Sequence, residues 1–259
     1  MYVRLKHTLS ALALEALRRP ARSGARAAVA WLFAYCDLVI QKGAANEAAG
    51  ELFDLPLSAV VTRARRAGAG GSGARQSGLT YLLDAGLLVK DNGKLSLPDG
   101  FRPHFAYLNR QVHRLGAALR AMDRMRGGAR LRGDHGIATG AALFNAGLFF
   151  ECHEFLEDIW RVAPSADRAF YHGLILIAAG FYHYEKGNLH GARIKLTQGI
   201  KALEPYLPAA HGVRLDRWMD ALDPWRNLLD AGQVRGVLNP SEIPKIPLVR
   251  ARGSKPRGS

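Results

Sequence analysis

Four acids, one histidine and several large apolar residues share the twelve positions FFECHEFLEDIW, residues 149–160. Carboxylates beside an imidazole are the parts of an acid–base pair. They also suit a divalent metal such as zinc, iron or manganese. A helix turns about 100° per residue, and that rotation sorts these side chains. Leu156, Phe149, Trp160, His153, Glu157 and Phe150 take one arc, and Phe155, Ile159 and Cys152 extend its apolar side. Glu151, Glu154 and Asp158 fall opposite, where a solvated face is expected. His153 and Glu157 stand four apart, so their side chains can touch.

Residues 169–184 contain no Asp, Glu, Lys or Arg, and apolar positions lie all around the helix they predict. That is the pattern of a central, buried helix. His172, Leu176, Ala179 and His183 share one of its stripes. Antiparallel packing would bring one of these histidines against His153 and Glu157. Three readings follow. His153, Glu157 and His183 form a polar cluster that fixes helix register. Alternatively, His153, Glu157, His172 and His183 supply ligands to a divalent metal. In the third, His153 and Glu157 do acid–base catalysis on a small ligand. No Glu stands three positions before any of these histidines, so the carboxylate-bridged di-metal spacing is missing. There is also no His-Glu-x-x-His, phosphate loop or nucleophile elbow, and the pattern leans away from an enzyme. Trp160 covers the cluster in a purely structural reading. Gly187 suits a left-handed helix end, and Asn188 suits the cap of the next helix.

The elements around these residues repeat. A shift of forty pairs Gly140 with Gly180, Gly147 with Gly187, Cys152 with Ala192 and Leu156 with Leu196. Each half reads helix, glycine turn, helix. This is the grammar of a helical-hairpin repeat, loosely similar to the tetratricopeptide pattern. Together, LFNAGLFFECHEFLEDIW (143–160) and FYHGLILIAAGFYHYEKGNLHGA (170–192) resemble the bacterial domain of unknown function 309 family over about residues 137–204. The resemblance implies an all-helical fold and no established activity. His172 and Leu176 stand where that pattern has glutamine, and Cys152 where it has alanine. Trp218, Met219, Leu222 and Trp225 predict a further amphipathic helix, broken near Pro224.

The first half has a different charge. Residues 1–134 hold 21 Lys and Arg against 10 Asp and Glu, whereas residues 135–244 hold 10 against 12. Residues 245–259 add 5 basic residues and no acid. A basic half and tail favour an acidic partner such as nucleic acid. Helices are predicted over 8–18 and 26–41, with another over 73–84 capped at Gly86. Asn92-Gly93 between two short apolar runs predicts a hairpin. Residues 26–100 in this order resemble a winged helix-turn-helix. The resemblance puts Arg75 and Gln76 at the start of a recognition helix, with Arg63, Arg65 and Arg66 beside it for phosphates. The glycine-rich AGAGGSGA at 67–74 replaces the usual tight turn. Residues 107–126 predict an amphipathic helix, with Leu108, Val112, Leu115, Leu119 and Met122 on one stripe and Arg110, Arg114, Arg120 and Arg124 opposite.

The fold class expected is mainly α: a C-terminal bundle of helical hairpins and an N-terminal winged-helix-like domain with a small β-hairpin. The expected divisions are a basic domain over 1–106, a connector helix and linker over 107–134, the bundle over 135–240 and a basic tail over 241–259. The tail is expected to run extended and then disordered after about Val249. Two distant cysteines imply no disulfide framework, and no apolar run spans a bilayer, so a cytoplasmic protein without a membrane partner is expected. The function expected is a non-enzymatic protein: the basic half binds nucleic acid and the helical module binds a ligand or protein partner. A His/Glu enzyme and a pure protein-interaction module are the alternatives.

Overall fold

The computed structural model describes residues 1–18, 24–44, 51–127, 135–232 and 242–249. The chain is mainly helical with one small sheet, and it divides into two compact units, Met1–Ala117 and Ala118–Ser259. No helix among the described residues is long and apolar enough to cross a membrane.

The first unit begins with α1 (Tyr2–Arg18) and α2 (Ala25–Ala44). A short strand β1 (Asp54–Pro56) leads into α3 (Leu57–Arg66) and α4 (Ser72–Asp84). Strands β2 (Val89–Asp91) and β3 (Lys94–Ser96) follow, then α5 (Phe105–Gly127), which runs across the division between the units. The hairpin turns at Asn92 and Gly93, whose φ values of 45° and 74° are those an Asn-Gly turn adopts. β3 lies between β1 and β2, antiparallel to both. Tyr35 ties this sheet to α2: its buried hydroxyl donates to the Phe53 carbonyl at 2.6 Å and accepts from the Leu97 amide at 2.8 Å. Burial pushes that phenol's pKa well above its usual value. The glycine-rich stretch becomes a five-residue turn, in which Gly68 and Gly70 take φ of 88° and 79°, plus the first turn of α4.

The stripe Leu108, Val112, Leu115, Leu119 and Met122 of α5 is buried. Arg114, expected on the exposed face, is only 6% exposed. A helical wheel assigns faces from one helix alone and takes no account of what packs against it.

The second unit packs α6 (His135–Asn145) on α7 (Phe149–Val162), α7 on α8 (Ser165–Glu185), α8 on α9 (Leu189–Leu203) and α9 on α10 (Leu215–Asp230). The forty-residue correspondence extends to the backbone. The Leu148 amide donates to the Leu143 carbonyl at 3.0 Å, and the Asn188 amide donates to the His183 carbonyl at 2.9 Å. Gly147 and Gly187 have φ of 80° and 74°. A β-carbon on Gly140 would meet Leu156, and one on Gly180 would meet Leu196. The core is aromatic: Phe181 lies within 5.4 Å of Phe144, Phe149 and Trp225, measured between ring centres, and Phe144 meets Trp218 edge-on at 5.5 Å. Pro224 does not break α10. It sits on the exposed side, while Trp218, Leu222, Trp225 and Leu229 bury the other face and hold the helix through it.

Residues 242–249 run extended and pack on the bundle. Ile243 and Ile246 are 2% and 4% exposed, and the segment hydrogen-bonds to α6 and α10. Residues 250–259 lie outside the described residues.

The α8–α9 contact is close because glycines face each other. A β-carbon on Gly199 would lie 2.7 Å from Ile177 Cγ1 and 2.9 Å from the Gly173 carbonyl oxygen. Gly199→Ala is therefore expected to destabilise the fold by about 1–3 kcal/mol through overpacking, despite alanine's better helix propensity. Gly73→Ala in α4, where nothing lies within 4 Å, is expected to stabilise by up to about 1 kcal/mol. Urea unfolding midpoints should move in opposite directions.

Candidate functional site

Helix α7 brings His153 and Glu157 together as their spacing requires, with His153 Nε2 3.2 Å from Glu157 Oε1. Glu154, expected in water opposite, turns its carboxylate to the other ring nitrogen, 3.3 Å from His153 Nδ1. One imidazole thus lies between two carboxylates, and only the ring protonated on both nitrogens donates to both. The far oxygen of Glu157 receives Arg161 Nη2 at 3.3 Å, and Asp158 receives Arg161 Nη1 at 3.1 Å. All of these side chains are at least a quarter exposed.

The other candidates lie elsewhere. His183 pairs with Asn188, Nδ1 to Nδ2 at 3.1 Å, so it is not the third member expected beside His153. Asn188 also caps α9, its Oδ1 accepting from the Gly191 amide at 2.9 Å. His172 is exposed, although its helix looked buried all round, and its ring lies 6.1 Å from Trp160. Phe150 and Tyr182 make the matching contact towards the other ends of α7 and α8, at 5.4 Å. Rings on both helices thus bracket His153 and Glu157 along the α7–α8 face. Glu151 overturns the expected wet face: it is 2% exposed. α7 packs against both α6 and α8, and a wheel drawn for one helix takes no account of either neighbour. The charge of Glu151 adds to burial in pushing the Cys152 thiol well up, and Cys36 is raised by burial too, so neither is poised as a nucleophile.

For a metal, His153, Glu154 and Glu157 are the ligand group that the described residues bring together, with donor atoms within 4.8 Å of one another. The arrangement fits an ion poorly. The two carboxylates address different nitrogens of one ring, and a single ion can take only one of them. Arg161 also competes at Glu157. His153→Ala is accordingly expected to cost less than about 1 kcal/mol, the scale of exposed ion pairs. Stoichiometric zinc or manganese in tag-free protein, lost in that variant, would contradict this account.

The basic unit offers a second surface. Arg65 and Arg66, at the end of α3, are exposed, as are Gln76, Ser77 and Thr80 on the outer face of α4. Arg63 and Arg75 are already engaged. Arg63 pairs with Asp37, and Arg75 donates to the Gly70 carbonyl at 2.6 Å while its own carbonyl accepts from the Trp31 indole. Lys90 and Lys94, not singled out from sequence, flank the Asn92-Gly93 turn and are exposed. Their position beside a strong turn signal was the available clue.

The second unit thus belongs to the class of helical-hairpin bundles, and the first adds a small sheet to helices. Residues 137–194 match the sequence model of the family described as Domain of unknown function (DUF309). A 69-residue stretch is 35% identical to the uncharacterized protein YpuF of Bacillus subtilis (strain 168). That stretch is 26% of this chain, which spans 40% of the length of that relative. No solved structure matches.

Proposed function

We propose that the Met1–Ala117 unit binds duplex DNA as a winged helix, and that the second unit is a non-enzymatic ligand- or partner-binding module of a cytoplasmic protein. The observation that carries this is the order α2, β1, α3, α4, β2, β3 with β3 central in the sheet. In a winged helix that order lays α4 in a groove and the β2–β3 hairpin on the neighbouring backbone. α4 presents a small, neutral, polar face of Gln76, Ser77 and Thr80, suited to base edges. Arg65 and Arg66 at the end of α3 and Lys90 and Lys94 on the hairpin add exposed positive charge suited to phosphates. The B-form major groove admits a helix, whereas the deep, narrow major groove of A-form RNA does not, and this favours duplex DNA. The excess of basic residues over 1–134 supports the same partner.

The test is the affinity of the intact chain for a fluorescent 25-base-pair DNA duplex across a sodium chloride series, with the matching RNA duplex in parallel. Affinity for DNA should fall steeply with salt, by about 0.9 logarithmic units per phosphate contact for each decade of salt. Absence of salt-sensitive DNA binding overturns the reading, and a preference for the RNA duplex overturns the assignment to DNA.

A further inference from the structure

We propose that the surface made by the end of α6, the loop 208–214 and the start of α10 is a receptor for an extended Ile-Pro-x-Ile-Pro peptide. Residues 242–249 fill it in cis, and a partner protein's segment of the same pattern can take their place. The inference stands independently of DNA binding, because it concerns the other unit.

The contacts are those of peptide recognition rather than of side chains merely packing. The Asn145 side chain makes both main-chain bonds of one residue: Oδ1 accepts from the Ile246 amide at 2.7 Å, and Nδ2 donates to the Ile246 carbonyl at 3.2 Å. The buried Trp218 indole donates to the Pro244 carbonyl at 3.1 Å. The Arg214 amide donates to the Pro247 carbonyl at 2.9 Å, and the Val249 amide donates to the Gly212 carbonyl at 2.7 Å. These last two bonds form the single antiparallel bridge that sets Leu248 opposite Val213. The receptor therefore reads main-chain groups at Pro244, Ile246 and Pro247 and again at Val249, and any extended chain carries those groups. Two isoleucines three apart, Ile243 and Ile246, supply the buried apolar contacts, while Lys245 is exposed and reaches the Asn145 carbonyl at 2.7 Å. Main-chain bonds with pockets for a few side chains are the chemistry by which extended peptides add to a folded surface. Pro244 and Pro247 restrict the segment to extended conformations, which lowers the entropy lost on docking. An Ile-Pro-x-Ile-Pro segment from another protein meets the same donors and acceptors. It competes against a tail tethered to the same chain, whose effective concentration raises the amount of free peptide needed to displace it.

The test keeps the whole chain. A specific protease site is inserted between Gly236 and Val237, the folded protein is cut there, and a fluorescent peptide with the sequence of residues 241–250 is added. The cut tail should co-elute with the body on size exclusion. Excess peptide should displace it while the helical circular dichroism stays unchanged. In parallel, the uncut chain with Ile243→Asp and Ile246→Asp should bind the peptide at least about tenfold more tightly than the uncut wild type. A control peptide with both isoleucines replaced by aspartate should bind neither. If the cut protein unfolds as its tail leaves, or if the tail never exchanges, the segment is an integral strap and the proposal fails. Equal binding to the wild type and to the aspartate variant fails it as well, because the tail would then not occupy the peptide's site.

Discussion

Alanine at Arg65, Arg66, Lys90 and Lys94 together is expected to lower DNA affinity at least about a hundredfold at low salt, and to flatten the logarithmic salt dependence by about 3 to 4. The four side chains are exposed at the end of α3 and along the hairpin. Each phosphate they neutralise releases condensed counterions, so losing four contacts appears in the slope as well as in the affinity. Their exposure also means that the fold should survive the change, with an unfolding midpoint close to that of the parent. Arg63→Ala is the internal contrast. Its guanidinium pairs with Asp37, so its loss should move the slope far less than one full contact would. In the proposed docking, Gln76→Ala should leave the slope alone and reduce discrimination between duplex sequences, because an exposed amide on α4 would contact bases rather than phosphates. A quadruple variant that binds with the parent's slope would show that the basic charge of this unit serves something other than phosphate contact.

Much of the local structure could be read in advance because its causes are local. Asn92-Gly93 demands a left-handed pair, and the turn forms there. The forty-residue correspondence survives as matched glycine turns and matched helix approaches, since Gly140 and Gly180 face Leu156 and Leu196. What escaped depends on partners distant in the chain. β1 is three residues long and exists because Leu55 pairs with Leu95 across forty positions. Glu151 looked solvated because its own helix puts it there, yet its surroundings bury it. His172 looked buried because its helix is apolar, yet the uncovered side of that helix happens to be the one it occupies. The histidine–glutamate pair was legible from an i, i+4 spacing, whereas the second carboxylate on the ring, Glu154, required side-chain geometry. The strap at 242–249 was visible as a proline-rich extended segment, but nothing in its own residues indicated Asn145, a hundred positions away, as its anchor.

Trp218→Ala is expected to destabilise the protein by about 3–5 kcal/mol, the range for removing a buried aromatic side chain. Trp218 is fully buried, its ring meets Phe144 edge-on, and its indole N–H holds the Pro244 carbonyl. The substitution therefore opens a cavity in the aromatic core and leaves a buried carbonyl without its donor. Trp218→Phe separates the two effects. It keeps most of the apolar contact with Phe144 and loses the hydrogen bond, so a smaller loss is expected, including about 0.5–1.5 kcal/mol from that bond. Urea unfolding measures the totals, and amide exchange locates them. In the phenylalanine variant, exchange at Ile246 and Val249 should quicken while α8 stays protected, because the strap loosens before the core does. If both variants unfold at the parent's midpoint, the indole is neither filling the core nor anchoring the tail. If Trp218→Phe costs as much as Trp218→Ala, the hydrogen bond to Pro244 and not the packing against Phe144 holds this end of the bundle together.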